Sequence, residues 1–238
     1  MTMLASRKRM KPVPFVPPFQ NGDAMDQPTF HALYVGTPKG FRAELIEGIV
    51  YMASPVQLRH GGPSLKVSQW LGAFADELEG SQAYNEITAI LAANSEPQPD
   101  HTLIVLPEAG GQTRENIDGF LVGAPELALE ISNTTALIDL HAKKTMYERY
   151  GVREYIVVES KRQVVHWFIR RGDMFVPLKQ DALGLLKSKC FPGLWLDPKA
   201  LFERSAKRLL AVLQQGLTTP DHAKFAAKLR AKLAKAKR

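Results

Sequence analysis

Residues 126–159 restrict the architecture more than any other stretch of the chain. Glu126-Leu-Ala-Leu-Glu-Ile-Ser132 is apolar enough to read as a strand covered on both faces. A helix is expected over residues 137–150, stopped at Gly151, and Glu154–Glu159 is again strand-like. Together with the strand-like segments before it, this order belongs to an α/β or α+β domain with helices packed on a mixed sheet.

Upstream, two apolar runs flank Glu47-Gly48, a hairpin signal within Arg42-Ala-Glu-Leu-Ile-Glu-Gly-Ile-Val-Tyr-Met-Ala53. A short helix is expected over residues 28–35, with Pro28 in its first turn. A longer one is expected over residues 63–79, where Leu65, Trp70, Leu71, Phe74 and Leu78 recur at helical spacing before Gly80. Residues 83–93 and 102–107 read as strands joined by the turn Asn94-Ser-Glu-Pro-Gln-Pro-Asp100. Residues 108–123 read as a loop holding a short hairpin at Asp118-Gly119. Further strands are expected at 164–169 and 174–177, then helices over about 198–215 and from Pro220 onward. Three regions follow: a proline-rich basic arm (1–26), a central domain (27–197) and C-terminal helices with a basic tail (198–238).

The net charge of +7 belongs to the two ends. Residues 1–12 carry four basic side chains (Arg7, Lys8, Arg9 and Lys11) and no acid, and residues 222–238 carry seven and none. Of 31 basic residues, 20 remain for the middle of the chain against 24 acids, a net −4. Basic ends attract phosphates without reading sequence, and they also serve as solvated surface. The one cysteine, Cys190, excludes an internal disulfide and a four-cysteine zinc site and suits a reducing, cytoplasmic setting. No apolar run approaches the roughly 20 residues that cross a bilayer.

Three acids stand where acids need explaining. Glu130 interrupts the apolar strand, and an unpaired buried carboxylate costs several kcal/mol, so a metal or a basic side chain is expected beside it. Asp100 follows Pro97-Gln-Pro99 and opens a strand, and Glu44 starts the run Leu45-Ile46. Magnesium takes one or two such carboxylates with waters and substrate phosphate. On the helix after Glu130, Asp139, Lys143 and Tyr147 share a face. Lys143 falls within the apolar stripe Leu140, Met146, Tyr147 and Tyr150, whereas Lys144 shares an outward face with His141 and Glu148. Arg59-His60 is expected in a loop before the second helix, with His60 a candidate for proton transfer or phosphate contact. Salt-bridged or solvated roles compete with each of these readings.

Glu44-Leu-Ile-Glu-Gly48, Ser54-Pro-Val-Gln-Leu-Arg-His60, Glu96-Pro-Gln-Pro-Asp100, Pro107-Glu-Ala-Gly-Gly111, Gly123-Ala-Pro-Glu126, the Asp139…Lys143…Tyr147 helix, Gly151-Val-Arg-Glu-Tyr155 and Phe191-Pro-Gly-Leu-Trp195 form an ordered series. It resembles the Uma-family putative restriction endonucleases of the PD-(D/E)XK nuclease superfamily, from about residue 28 to about 225. The resemblance implies a restriction-endonuclease-like core that cleaves nucleic acid with a divalent metal, Mg²⁺ or Mn²⁺. Pro99-Asp100 is similar to the superfamily's first acid motif and Glu130 to its second, with Glu44 as an upstream acid. Ser132 stands where the superfamily has its lysine, and the resemblance gives that part to Lys143. Asp100, Glu130, Lys143, Glu44 and His60 are thus the expected catalytic set, with Asp100 and Glu130 as metal ligands. Arg59, Lys144, Arg7, Lys8 and Arg9 are expected to touch DNA, and a homodimer is expected by analogy with double-strand cutters. The alternative is a DNA-binding or assembly module that keeps the fold without turnover. A small-molecule hydrolase or purely structural protein is a further one.

Overall fold

The computed structural model describes residues 15–53, 58–133, 135–203 and 205–236. Helix α1 (Gln27–Tyr34) starts at Asp26, whose carboxylate accepts from Thr29 N at 2.9 Å, with Pro28 in the first turn. The hairpin β1 (Ala43–Ile46) and β2 (Ile49–Met52) turns through Glu47 and Gly48, both at positive φ (52° and 82°). That is what a two-residue hairpin loop needs to match strand twist.

Helix α2 (Leu58–Asp76) is already helical at Leu58, so Arg59 and His60 lie on its first turn instead of in a preceding loop. Gly61-Gly62-Pro63 made the expected start too late. Pro63 lies inside the helix beyond its first turn, so it offers no N–H to the Arg59 carbonyl.

The expected strand 83–93 divides. Strand β3 (Ser81–Asn85) joins the main sheet, whereas β4 (Ala89–Ile90) pairs in a separate small sheet with β7 (Leu121–Val122) beside β6 (Arg114–Glu115). The break falls at Glu86, a non-glycine residue at φ 52°, whose N–H donates to Asp100 O at 3.0 Å. β6 and β7 are the expected hairpin around Asp118-Gly119.

The main sheet adds β5 (His101–Val105), β8 (Leu127–Ser132), β9 (Glu154–Glu159), β10 (Val164–Arg171) and β11 (Met174–Pro177), in the order β11-β10-β9-β8-β5-β3. β8 and β9 are parallel and the other pairs antiparallel, so the sheet is mixed as the element order implies. Between β8 and β9 lie a π-helical turn, Ile138–Lys143, and helix α3 (Lys144–Arg149). The short pair β12 (Leu186–Lys187) and β13 (Trp195–Leu196) follows, and helices α4 (Lys207–Leu217) and α5 (Pro220–Ala236) close the described chain.

All six residues of β8 are buried, and alternation divides them between two layers. Leu127, Leu129 and Ile131 pack with Trp70, Phe74 and Leu213 on the α2/α4 side. Ala128 packs with Met146, Tyr147 and Tyr155 on the α3 side. Glu130 has the parity of Ala128, so it enters the α3 layer. A smaller cluster of Phe19, Phe30, Leu45 and Val50 seats the β1–β2 hairpin against α1.

Candidate active site

The site forms where β5 begins and β8 nears its end. His101 pairs with Leu129 across the ladder, so one step further sets Asp100 beside Glu130. Asp100 is fixed by the Ile131 N–H, which donates to Oδ2 at 2.7 Å, and by His60 Nε2, 3.2 Å from Oδ1. Two acids opposed across a ladder repel, so this register asks for cations nearby.

Lys143 supplies one. Its Nζ donates to Glu130 Oε1 at 3.0 Å and to Glu44 Oε1 at 2.8 Å. The π-helical turn, a local widening often found at functional sites, holds both Asp139 and Lys143 buried. Tyr155 Oη donates to the Asp139 carbonyl at 2.9 Å within it. Glu44 comes from the small hairpin, and its Oε1 also accepts Gln98 N at 2.6 Å. The hairpin, the Pro-Gln-Pro turn, β8 and the helix therefore meet at one carboxylate–ammonium cluster. Tyr147 Oη completes it, donating to Glu130 Oε1 at 3.0 Å.

The electrostatics follow from this packing. Burial pushes the Glu130 carboxyl well above its ordinary value, Lys143 pulls it back, and the charges of Asp100, Asp139 and Glu44 push it further up. Burial disfavours the Lys143 ammonium, but Glu130, Glu44 and Asp139 outweigh it and hold the proton firmly. Burial also opposes ionisation of Asp100, yet the His60 hydrogen bond and charge, the Ile131 N–H and Lys143 keep its carboxyl below the ordinary value. The cluster holds more acidic side chains than basic ones.

That excess, presented by oxygen donors alone, suits a hard divalent ion at Asp100 and Glu130. Among the described residues no group of three or more His, Cys, Asp or Glu side chains is arranged to hold a metal. Two carboxylates completed by water and phosphate are what magnesium usually takes.

The five expected catalytic residues thus fall in two contact groups, Asp100 with His60 and Lys143 with Glu130 and Glu44, which the β5–β8 register and the Ile131 N–H to Asp100 bring side by side. Tyr147 and Gln98 were not among them. Tyr147 had a signal in its position four residues after Lys143, whereas the Gln98 contact uses backbone and leaves none. Of the expected DNA contacts, Arg59 is exposed on α2 and lines a cleft of about 680 Å³ with Lys66, Gln69, Ser160, Gln163 and Phe202. Lys144 is half-buried, its Nζ 4.9 Å from the centroid of the Phe168 ring, and not on a free outward face. Arg7, Lys8 and Arg9 lie outside the described residues, as does the Ser54-Pro-Val-Gln57 part of the motif series.

A family model described as Uma2, putative restriction endonuclease, matches residues 27–199. Among solved structures, the chain is similar to a protein from Anabaena variabilis described as a putative nuclease. The identity is 16% and the TM-score 0.54, over 72% of this chain and 96% of that one, a likeness of fold. A search of curated proteins gives no match. Among the described residues no helix is long and apolar enough to cross a membrane.

Proposed function

Because this chain belongs to the Uma2 family of putative restriction endonucleases, we propose that it is a divalent-metal-dependent endonuclease that hydrolyses phosphodiester bonds in DNA. One observation carries the reading: Asp100 and Glu130 stand side by side at the end of two central strands, with an amine from the following helix inserted among the acids.

Asp100 and Glu130 would hold Mg²⁺ or Mn²⁺, which when bound supplies the positive charge that acidifies an attacking water and offsets charge on the phosphoryl oxygens. The remaining roles belong to the chain itself. An ammonium has three donors, and Glu130 and Glu44 take two from Lys143. We assign its third to the attacking water or a phosphoryl oxygen, where a fixed donor favours the charge that develops. Tyr147 orients the Glu130 carboxylate. His60 orients Asp100 and is drawn towards its protonated form, first by the hydrogen bond to Asp100 and against the effect of burial. Glu44 holds Lys143 in place and would be a weaker or water-mediated partner of a bound metal. Arg59, exposed one residue before His60, offers charge to a flanking phosphate. Double-strand cutters commonly pair two such sites, and a homodimer would bring them together by analogy.

Incubation with supercoiled plasmid and Mg²⁺ or Mn²⁺ tests this. The wild-type protein is expected to nick or linearise DNA and to stop in EDTA. Cleavage at the wild-type rate by Glu130→Ala or Lys143→Ala would refute the roles assigned here.

A second reading has its own support. Lys143 and His60 already engage all three acids, and Ser132 occupies the place of the superfamily lysine, as in a DNA-binding module that keeps the fold without turnover. DNA binding without metal-dependent cleavage would favour it.

A further inference from the structure

The basic C-terminal segment is a docked helix. On α5 the residues Phe225, Ala226, Leu229 and Leu233 belong to the main core or pack against it. A flanking face carries Lys224, Lys228, Lys232 and Lys235, all exposed and spaced four, four and three residues apart, with the Lys232 side chain lying over Gly110. This spacing lines them along one face over roughly 16 Å of helix. Within α5 the one acid is Asp221, in the first turn.

The place of this ridge matters as much as its charge. α5 packs on the turn Pro107–Ala109, which follows the last residue of β5, and its Leu229 and Leu233 lie against Gly80, just before β3. Asp100 precedes the first residue of β5. Five strand residues span roughly 17 Å, so the ridge and the carboxylates occupy opposite ends of the sheet.

We propose that α5 is a second nucleic-acid surface, a lysine ridge that holds the phosphate backbone of a duplex segment separate from the one at the carboxylates. It rests on the nucleic-acid reading above and not on catalysis. A membrane is the weaker occupant, because surface-seeking helices insert an apolar face and that of α5 is already spent on the core. Cations on a fixed helix suit a regular array of phosphates.

The test is fluorescence anisotropy with a duplex of about 30 base pairs in EDTA, between about 50 and about 200 mM salt. Three proteins are compared: wild type, the Lys224→Gln/Lys228→Gln/Lys232→Gln/Lys235→Gln variant, and a control of equal charge, Lys39→Gln/Lys161→Gln/Lys179→Gln/Lys189→Gln. The ridge variant is expected to bind at least about tenfold more weakly, with a slope of log K against log salt shallower by about 3 to 4. The control is expected to stay within about twofold of wild type. Equal losses in both variants, no loss in the ridge variant, or ridge-dependent binding to anionic vesicles in place of DNA would each overturn the proposal. Wild-type protein that binds through the ridge but never cuts plasmid would sink the endonuclease reading and leave this one standing. Plasmid cleavage with ridge-independent binding would do the reverse.

Discussion

Lys143 Nζ lies 3.0 Å from Glu130 Oε1, and both side chains are almost completely buried. The ammonium comes from a π-helical turn and the carboxylate from a fully buried central strand, thirteen residues earlier. Removing Lys143 leaves Glu130 buried without its cation, whereas removing Glu130 leaves Lys143 paired with Glu44 alone. Lys143→Met is therefore expected to lose about 3–5 kcal/mol of stability, and adding Glu130→Leu to recover part of it. Urea unfolding of the two single variants and the double variant measures this. Additive losses would show that the pair is not coupled.

Tyr147 donates to the same Glu130 oxygen. Tyr147→Phe removes this donor and little volume, so a cost of about 1–2 kcal/mol is expected from the hydrogen bond alone. If Tyr147 positions Glu130 for the metal, calorimetric Mn²⁺ affinity falls with it. A stability loss with unchanged Mn²⁺ binding would make its role structural.

Cys190 gives a pH dependence. Burial and the nearby Glu154 charge push its thiol from 9.0 up to about 12, so the folded protein keeps a proton that the unfolded chain releases first. The unfolded state then binds fewer protons between those values, and stability falls as pH rises from about 9. Reaction with a thiol reagent at pH 8 is expected to be slow in the folded protein and fast in denaturant. Cys190→Ala is expected to flatten part of the alkaline loss. Fast labelling of the folded protein at pH 8 would contradict this.

Gly216 on α4 packs directly against Gly193 and Trp195 of the β12–β13 region. A Cβ there would fall 2.1 Å from the Gly193 carbonyl oxygen, which backbone cannot easily vacate. Gly216→Ala is expected to cost at least about 1–3 kcal/mol by overpacking. An unchanged Tm would show that the two segments can part.

Glu130 and Lys143 were legible in the sequence for one reason: each is a charge set into an apolar pattern. β8, β9 and the β1–β2 hairpin were legible because period and turn chemistry agree there. The Glu44–Lys143 contact joins residues 99 apart and no local pattern carries it. The divided strand at Glu86 depends on a left-handed residue that is not glycine, and β12 and β13 are too short for any period to register. The start of α2 was hidden because Gly61, Gly62 and Pro63 weaken helix propensity, while packing of the later turns outweighs it. A lysine-rich helix from Pro220 onward was expected, but its seat at the far end of the sheet is a tertiary fact.

The proposal that Asp100 and Glu130 form a metal site is tested most directly by crystals soaked in Mn²⁺ and examined for anomalous density. One peak within bonding distance of both carboxylates, lost in Glu130→Gln, is the result expected. Density elsewhere, or none beside these carboxylates at saturating Mn²⁺ with Lys143 still on Glu130, would contradict it.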